Sequence, residues 1–187
     1  MQRIAIIGPS GSGKSTLARA MGQRLGITVV HLDAMFWHPG WVGTPRDEWR
    51  AIQTRLVQPP QWIIDGNYGS TLDIRLERAD TVVFLDFSRR YTIPRVLRRR
   101  IQYQGRTRPD LAPGCPEKID WEFIRWVWHF PQRERPSILQ HRDARPAGQT
   151  WICLSNPREV QEFLDTISLA WTQYLPFQGP TQPKGIK

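Results

Sequence analysis

Long apolar runs, cysteine patterns and internal repeats are all missing from this chain of 187 residues. No stretch reaches the roughly 20 apolar residues that a membrane-spanning helix needs, so we expect no contact with a membrane. The first apolar stretch, residues 4–7, is too short for a signal peptide. The two cysteines, Cys115 and Cys153, offer neither a disulfide framework nor a zinc pattern. These absences predict a cytoplasmic protein.

Acidic residues are scarce relative to basic ones: 17 Asp and Glu face 26 Lys and Arg, which gives a formal net charge of +9. Most of the basic residues are arginines, whose guanidinium groups bind phosphate or carboxylate in a fixed fork geometry. The charge therefore predicts phosphate-rich partners, which could be nucleotides, nucleic acid or a phosphorylated metabolite. Nine tryptophans are many for this length, so we expect some of them at a site or a lid as well as in the core.

The length fits one compact domain, and short apolar runs alternate with helical patterns, which is typical of a parallel sheet built from crossover units. The predicted strands cover residues 3–7, 28–32, 62–65, 81–85 and 150–154. The predicted helices cover residues 14–25, 45–57, 88–102, 120–129, 132–141 and 157–171. The two predicted helices 120–129 and 132–141 are separated at Pro131, because proline interrupts helices. The domain is expected to end at residue 171, and residues 172–187 to form a disordered tail.

The segments between these elements carry further expectations. Residues 34–44 are expected to form a loop, which ends at Thr44 as N-cap of the next helix. Residues 104–116 are rich in Pro and Gly, so no regular element is predicted there. Asn156 is expected to cap the last helix.

The strongest signal is a complete P-loop (Walker A) motif, G-x-x-x-x-G-K-[ST], between the first strand and the first helix. Its glycines allow a backbone path that a side chain would block, so that the N–H groups and the helix dipole face a bound phosphate. Lys14 is predicted to reach the β- and γ-phosphates as a catalytic residue, and Ser15 to bind Mg²⁺. The predicted nucleotide-binding residues are Gly8, Ser10, Gly11, Ser12, Gly13, Lys14, Ser15 and Thr16. ATP and Mg²⁺ are therefore the expected ligands.

Three aspartates end strands at the carboxyl edge of the predicted sheet, where open α/β folds bind ligands. Asp65 is predicted to hold Mg²⁺ through water, and Asp86 is the alternative for that role. Asp33, in the segment His31-Leu32-Asp33, is predicted to position an acceptor hydroxyl or take its proton; the alternative is a turn-forming aspartate. His38 is predicted to lie at the surface or to pack, because no second metal ligand lies near it in the sequence.

Arginines are dense between residues 89 and 145, around the Pro/Gly-rich segment between the fourth and fifth strands. We predict a mobile lid over residues 104–135, whose arginines would clamp the γ-phosphate; surface charge or a nucleic-acid patch are the alternatives. The predicted catalytic arginines are Arg98, Arg108 and Arg133. Further arginines of this region are Arg95, Arg99, Arg100, Arg106 and Arg135.

The order of these segments resembles small P-loop kinases related to adenylate and shikimate kinases. Three segments, residues 37–41, 62–68 and 79–86, resemble more closely the bacterial family called "DNA topology modulation protein", as do residues 114–118 and 126–128. The resemblance implies a three-layer α/β/α sandwich, a P-loop NTPase fold whose five-stranded parallel sheet has the order 2-3-1-4-5. Asn67-Tyr68 stands where adenylate kinases carry Phe-Pro-Arg, so AMP is not the expected acceptor.

The favoured function is ATP-dependent phosphoryl transfer to a small acceptor, a nucleoside, nucleotide or metabolite. A nucleotide-regulated nucleic-acid-binding protein linked to DNA topology, and a plain NTPase, are the alternatives. A small-molecule partner is favoured over nucleic acid, and the sequence leaves the oligomeric state open.

Overall fold

The structure is a computed structural model that describes residues 1–118 and 120–174, with the backbone alone described from residue 168 onward. Its main sheet has five parallel strands, namely β1 (Arg3–Ile7), β2 (Val29–His31), β5 (Trp62–Asp65), β6 (Thr81–Leu85) and β7 (Thr150–Leu154). Two short strands, β3 (Trp37–His38) and β4 (Val42–Gly43), pair as a separate antiparallel hairpin. The helices are α1 (Lys14–Leu25), α2 (Leu32–Phe36), α3 (Arg46–Leu56), α4 (Leu72–Arg78), α5 (Arg89–Gln102), α6 (Trp121–Arg133), α7 (Arg135–Asp143) and α8 (Pro157–Tyr174), with a 3₁₀ turn at Gly69–Thr71.

The strand order of the sheet is β2-β5-β1-β6-β7, and every pair is parallel. When only these five strands are counted in chain order, the order reads 2-3-1-4-5, as predicted. The register aligns Asp65 with both Ile6 and His31. The carboxyl ends of the central strands therefore meet at one edge, directly beside the P-loop.

Both faces of the sheet are covered, because alternate residues of each strand enter different cores. In β1, Ala5 and Ile7 belong to one core cluster, with Trp49 of α3 and Phe130 of α6. Ile4 and Ile6 belong to the other, together with residues of α1 and α8 such as Met21 and Leu164. The predicted three-layer α/β/α sandwich is confirmed.

Several local predictions were wrong. Leu32 begins the short helix α2 instead of ending β2, and the predicted loop 34–44 contains the end of that helix and the β3–β4 hairpin. Thr44 makes no cap; its hydroxyl donates to the carbonyl of Phe36 at 2.7 Å, and Pro45 occupies the N-cap position of α3. The hydroxyl thereby closes the base of the hairpin.

Helix boundaries near prolines also differ from prediction. Pro131 lies inside α6, which ends at Arg133, and the break falls at Glu134. A proline so near a helix end removes only one backbone hydrogen bond, and Phe130 and Ile138 anchor both helices in one core. Helix α4 was not predicted, because its seven residues form too short a periodic pattern. Asn156 does cap α8, accepting from the Glu159 N–H at 3.0 Å.

The structure describes only the first three residues of the predicted tail, 172–174. Helix α8 continues to Tyr174, beyond the predicted boundary at 171, and the rest of the predicted tail, residues 175–187, lies outside the described residues. Among the helices that the structure describes, none is long and apolar enough to cross a membrane.

Candidate phosphate and acceptor site

The P-loop lies in the bend between β1 and α1, and its glycines have the backbone geometry that the motif needs. Gly8, Gly11 and Gly13 have φ values of 145°, 81° and 98°, which side chains rarely allow. A Cβ on Gly8 would lie 2.6 Å from the carbonyl oxygen of Leu85, and one on Gly11 would lie 2.6 Å from that of Thr92. The loop is thus pressed against the end of β6 and the start of α5, and only glycine fits.

Two polar side chains of the P-loop, those of Lys14 and Ser12, could hydrogen-bond to a phosphate group. The Lys14 ammonium donates to the Pro9 carbonyl at 2.9 Å, a contact within the loop that a phosphate oxygen could replace. Burial lowers the pKa of Lys14, and the carboxylates of Asp33 and Asp65 partly oppose that shift. The buried Ser12 hydroxyl has no hydrogen-bond partner among the described residues. A cation and an unpaired hydroxyl in a glycine cradle fit a phosphate group.

Asp65 ends β5 and is almost fully buried, at 4% exposure. The sequence did not reveal its partner: the carboxylate pairs with Nδ1 of His31 at the end of the neighbouring strand β2. This hydrogen bond raises the pKa of His31. Asp65 lines the same cavity as Lys14 and Ser15, so its predicted role at Mg²⁺ fits its position.

Asp86, the alternative for that role, is engaged elsewhere. It accepts two hydrogen bonds from Arg135 Nε, at 2.8 and 3.0 Å, and a third from Nη2 at 2.8 Å. It is not among the residues that line the cavity. The ion pair instead ties the end of β6 to the start of α7, so Asp86 and Arg135 are structural residues here.

Asp33 lies in the first turn of α2, not in a loop, and faces the cavity. The Tyr68 hydroxyl donates to its carboxylate at 2.8 Å. Burial, followed by the charge of Asp33, raises the pKa of Tyr68, so the phenol keeps its proton and remains a donor. The hydrogen bond fixes one carboxylate oxygen of Asp33 and leaves its remaining acceptor capacity for a ligand.

The turn after β5 contacts both Asp33, through Tyr68, and the P-loop, through Asn67. The side-chain oxygen of Asn67 accepts from the Gly8 N–H at 2.8 Å. From α4, the fully buried guanidinium of Arg75 donates to the carbonyl of Gly66 at 2.6 Å and also to that of Asn67. Burial lowers the pKa of Arg75 to about 10, which still leaves it charged at neutral pH. Arg75 therefore holds the turn that presents Asn67 and Tyr68, although no motif marked it.

The arginine-rich region forms an ion network above the P-loop. Glu117, buried, accepts from Arg99 Nε at 2.9 Å and lies 2.6 Å from Arg108 Nε. Arg108 also donates to Asp110 at 3.0 Å, and Arg99 reaches the Ser10 hydroxyl at 3.4 Å. Burial tends to raise the pKa of Asp110, but Arg108 and the Ser15 hydroxyl outweigh it and lower that pKa. The segment 104–118 thus contacts the P-loop directly through Asp110 and Ser15, and Glu117 of the same segment pairs with Arg99, which reaches Ser10.

The predicted catalytic arginines are not all brought together. Arg98 and Arg108 line the cavity, as do Arg95 and Arg99. Arg133, at the last turn of α6, is exposed and lies outside the cavity lining. The carbon of the Arg95 guanidinium lies 5.5 Å from the centre of the Tyr91 ring.

One cavity of about 900 Å³ contains both groups of side chains. We call its cationic part the phosphate half, which consists of the P-loop together with Arg19, Arg95, Arg98, Arg99 and Arg108. We call its other part the aromatic half, which consists of Trp37, Trp41, Tyr68, Phe123 and Trp126. Asp33 and Asp65 line the cavity as well. No group of three or more potential metal-ligating side chains occurs among the described residues, so any Mg²⁺ would depend on phosphate oxygens and water for most of its ligands.

Comparison with known proteins agrees with this site. Residues 4–65 match the family described as "ATPase family associated with various cellular activities (AAA)"; the match covers less than half of the chain but includes the P-loop and Asp65. An adenylate kinase from Moorella thermoacetica is 29% identical over 147 residues, which cover 60% of this chain and 68% of that protein. A tRNA dimethylallyltransferase from Mycobacteroides abscessus is 27% identical over 172 residues, 89% of this chain but only 52% of that protein. This chain therefore spans about half the length of the transferase.

Among solved structures, shikimate kinase from Bacteroides thetaiotaomicron superposes with a TM-score of 0.53 at 18% identity, over 91% of this chain and 98% of that chain. Likeness at this identity establishes the fold alone. The strand order, the glycine loop and this superposition together define a P-loop NTPase fold. Within that class, the architecture resembles that of the Bacteroides shikimate kinase.

Proposed function

We propose that the protein transfers the γ-phosphoryl group of ATP to a hydroxyl of a small acceptor. The observation that carries the proposal is the shared cavity: Lys14 and Ser15 of the P-loop line the same space as Asp33. Phosphoryl transfer needs little covalent chemistry from a protein, because positioning and charge neutralisation supply most of the catalysis. A phosphate-binding loop that faces a carboxylate across a cavity supplies both.

In this proposal each side chain has one task. Lys14 binds the β- and γ-phosphates, and Asp33 accepts the proton of the acceptor hydroxyl as its oxygen attacks the γ-phosphorus. The bond between that phosphorus and the bridging oxygen breaks, and ADP leaves with the bond's electrons. Arg98 and Arg108 stabilise the charge on the transferring group.

Ser15 and Asp65 are the residues that would hold Mg²⁺, Asp65 through water. The ion, when bound, neutralises charge on the β- and γ-phosphate oxygens. The His31 imidazole, hydrogen-bonded to Asp65, fixes the orientation of that carboxylate, as outer partners of metal-binding carboxylates commonly do.

The names of the relatives support transfer chemistry without agreeing on the transferred group. The Moorella relative is named a kinase, whereas the other is named a tRNA dimethylallyltransferase. The latter name, the arginines of α5 and the resemblance to the "DNA topology modulation protein" family keep a nucleic-acid-binding function as the second candidate. That resemblance rests on sequence segments alone.

Transfer of label from γ-³²P-ATP, with Mg²⁺ and a set of nucleosides and metabolites, tests the proposal. We expect at least one acceptor to become labelled and to stimulate ADP release, and we expect DNA to have no effect. Hydrogen exchange supplies the second measurement: a non-hydrolysable ATP analogue should protect residues 104–118, since a lid becomes ordered over bound phosphates. Protection by DNA alone, with no labelled acceptor, would replace the kinase proposal by the nucleic-acid candidate.

A further inference from the structure

The aromatic half of the cavity has two walls that come from distant parts of the chain. The first contains Trp37 and Trp41 of the hairpin, whose ring centres lie 5.3 Å apart, and Tyr68 from the turn after β5. The second contains Phe123 and Trp126 of α6, which stack at 6.1 Å with an interplanar angle of 24°. All five rings are only partly buried, so each has a face or edge left for a ligand.

The first wall is held in a costly backbone conformation. Among the described residues, Trp41 and Tyr68 are the only non-glycine residues with positive φ, at 66° and 40°, and both line the cavity. Their side chains are fixed by hydrogen bonds, from Trp41 Nε1 to the Pro116 carbonyl at 3.0 Å and from the Tyr68 hydroxyl to Asp33 at 2.8 Å. Strained residues that the surroundings hold in place concentrate at binding sites.

The first wall also continues into the core. Phe36 lies 4.8 Å from both Trp37 and Tyr68, and Trp49 lies 4.9 Å from Tyr68, measured between ring centres. Trp49 is buried at 2% exposure. The core rings therefore fix the orientations of Trp37 and Tyr68, so these two rings are already in place before a ligand binds.

Carboxylates outnumber cations beside the aromatic half, whereas arginines are concentrated in the phosphate half. Asp33 accepts from the Tyr68 hydroxyl, and Asp120 accepts from the Phe123 N–H. The Glu134 carboxylate lies close to Gly69, the neighbour of Tyr68. The cavity-lining cation beside these rings is Lys118. Lys118 is drawn to the Trp41 ring, with its ammonium 5.7 Å from the ring centre. Carboxylates that lack matching cations repel an anionic ligand, and removing water from between the two like charges costs further free energy. A phosphate or carboxylate group on the acceptor would therefore be disfavoured beside these carboxylates.

We infer that the aromatic half binds the acceptor, and that this acceptor is an uncharged, hydroxyl-bearing compound with a flat face. The inference rests on the proposed function, because it assigns the acceptor of that reaction. Its flat face stacks on the ring of Trp37 or Trp41, which meet edge to face at an interplanar angle of 68°, and one hydroxyl hydrogen-bonds to Asp33. A nucleoside base and the apolar face of a sugar ring both offer this chemistry.

Calorimetry with matched pairs tests the inference. The uncharged members are thymidine, cytidine and glucose, and their charged partners are thymidine monophosphate, cytidine monophosphate and glucose 6-phosphate; shikimate serves as a carboxylate. Each is titrated with and without a saturating non-hydrolysable ATP analogue and Mg²⁺. We expect an uncharged compound to bind at least tenfold more tightly than its charged partner, and the nucleoside and sugar members then identify the source of the flat face.

Two substitutions locate the binding. Trp37→Leu should weaken binding of the compound at least tenfold and leave the affinity for the ATP analogue unchanged, whereas Trp126→Leu, in the second wall, should weaken it less. Trp121→Leu is the matched control, because Trp121 is 77% exposed and lies outside the cavity lining; it should change neither affinity.

The outcomes separate this inference from the proposed function. Equal or tighter binding of the charged partners, or no binding by any uncharged compound while the ATP analogue binds, overturns the inference and leaves phosphoryl transfer standing. Failure of the ATP analogue to bind the folded protein overturns the proposed function itself. An equal effect of Trp121→Leu and Trp37→Leu would remove the assignment to the aromatic half.

Discussion

The two halves of the cavity are built in different ways. The phosphate half has a local centre: its loop and its lysine lie within one stretch of the chain, Gly8 to Thr16. Arginines from α1, α5 and the segment 104–118 surround this centre. The aromatic half combines the hairpin, the turn after β5 and α6, which are far apart in the sequence. A shared donor such as ATP can be served by a compact motif, whereas a particular acceptor needs a surface assembled by the whole fold. If the halves act separately, a substitution in one half should leave the affinity of the other half for its ligand unchanged.

The largest effect is expected from Lys14→Ala. The mutant should lose measurable turnover and bind ATP about 10- to 100-fold more weakly, in line with roughly 1.5–3 kcal/mol for a hydrogen bond to a charged group. Lys118→Ala is the matched control, since Lys118 lines the cavity beside Trp41 in the aromatic half. Calorimetry with ATP measures both, and equal losses in the two mutants would contradict the division of the cavity.

Asp33→Asn should lower acceptor-dependent turnover by about 10²- to 10⁴-fold, the usual contribution of a general base, and leave basal ATP hydrolysis intact. Asp65→Asn should also lower turnover more than nucleotide binding, because the metal's charge matters most in the transition state, but it should reduce basal hydrolysis too. Steady-state assays with and without acceptor distinguish the two mutants. Identical profiles would mean that both aspartates serve the same half.

Arg98→Ala and Arg108→Ala should each lower turnover by about tenfold or more, as expected of arginines that neutralise the transferring group. Arg133→Ala should remain near the unmutated level, because Arg133 is exposed outside the cavity lining. If these arginines instead form a DNA-binding patch, each substitution should lower the DNA affinity modestly. It should also reduce the slope of log affinity against log salt concentration by about one unit. Turnover assays and salt titrations with DNA decide between them.

Tyr68→Phe is a finer probe, because it removes only the hydroxyl that donates to Asp33. We expect kcat/KM for the acceptor to fall by roughly 3- to 10-fold, the equivalent of about 1 kcal/mol. ATP affinity should not change, since the phenol lies in the aromatic half. Kinetics at varied acceptor and fixed ATP provide the measurement, and a change in the Kd of ATP would show that the halves are coupled.

Asp80→Asn, at the amino edge of the sheet, should affect neither half. Burial tends to raise the pKa of Asp80, but hydrogen bonds from Thr81, Arg3 and Gln2 outweigh it and lower the pKa below 3.8. A lowered pKa in the folded state adds stability above the unfolded value, and this stability is lost as the pH falls through the folded value. The mutant should therefore melt a few degrees lower than the unmutated protein at pH 7, and this difference should shrink as the pH is lowered through the folded-state pKa of Asp80, which lies below 3.8. Thermal denaturation over this pH range checks this.

The contrast between the halves also explains what the sequence could predict. The P-loop, the five strands and the position of Asp65 follow from contiguous patterns, and the parallel register brings Asp65 beside Ile6 without further information. The pairing of Tyr68 with Asp33 spans 35 residues, and no periodicity encodes it. The buried Arg75 likewise lies in a helix that was not predicted, and no sequence pattern marked it. Such contacts depend on how packed elements meet, which short patterns do not specify.

The placements of Arg133 and of Asp86, the alternative to Asp65, have the same origin. Four arginines of the charge-dense region, Arg95, Arg98, Arg99 and Arg108, line the cavity. Which arginine points inward depends on the rotation of α6 and α7, and that rotation is set by core residues such as Phe130 and Ile138. Asp86 ends a strand at the correct edge but is neutralised by Arg135. The position of Asp86 at the end of a strand was predictable from the sequence, whereas its ion pair with Arg135 was not.

The hairpin and the segment above it have a consequence for protein engineering. The Gly40 N–H donates to the Gly114 carbonyl at 3.0 Å, and the Cys115 thiol lies 3.1 Å from the carbonyl oxygen of His38. A Cβ on Gly114 would come within 2.9 Å of the Pro39 ring. If the hairpin were replaced by that of a homologue, its contacts with residues 114–118 would no longer match. A chimera designed to change the acceptor should therefore exchange the hairpin and residues 114–118 together.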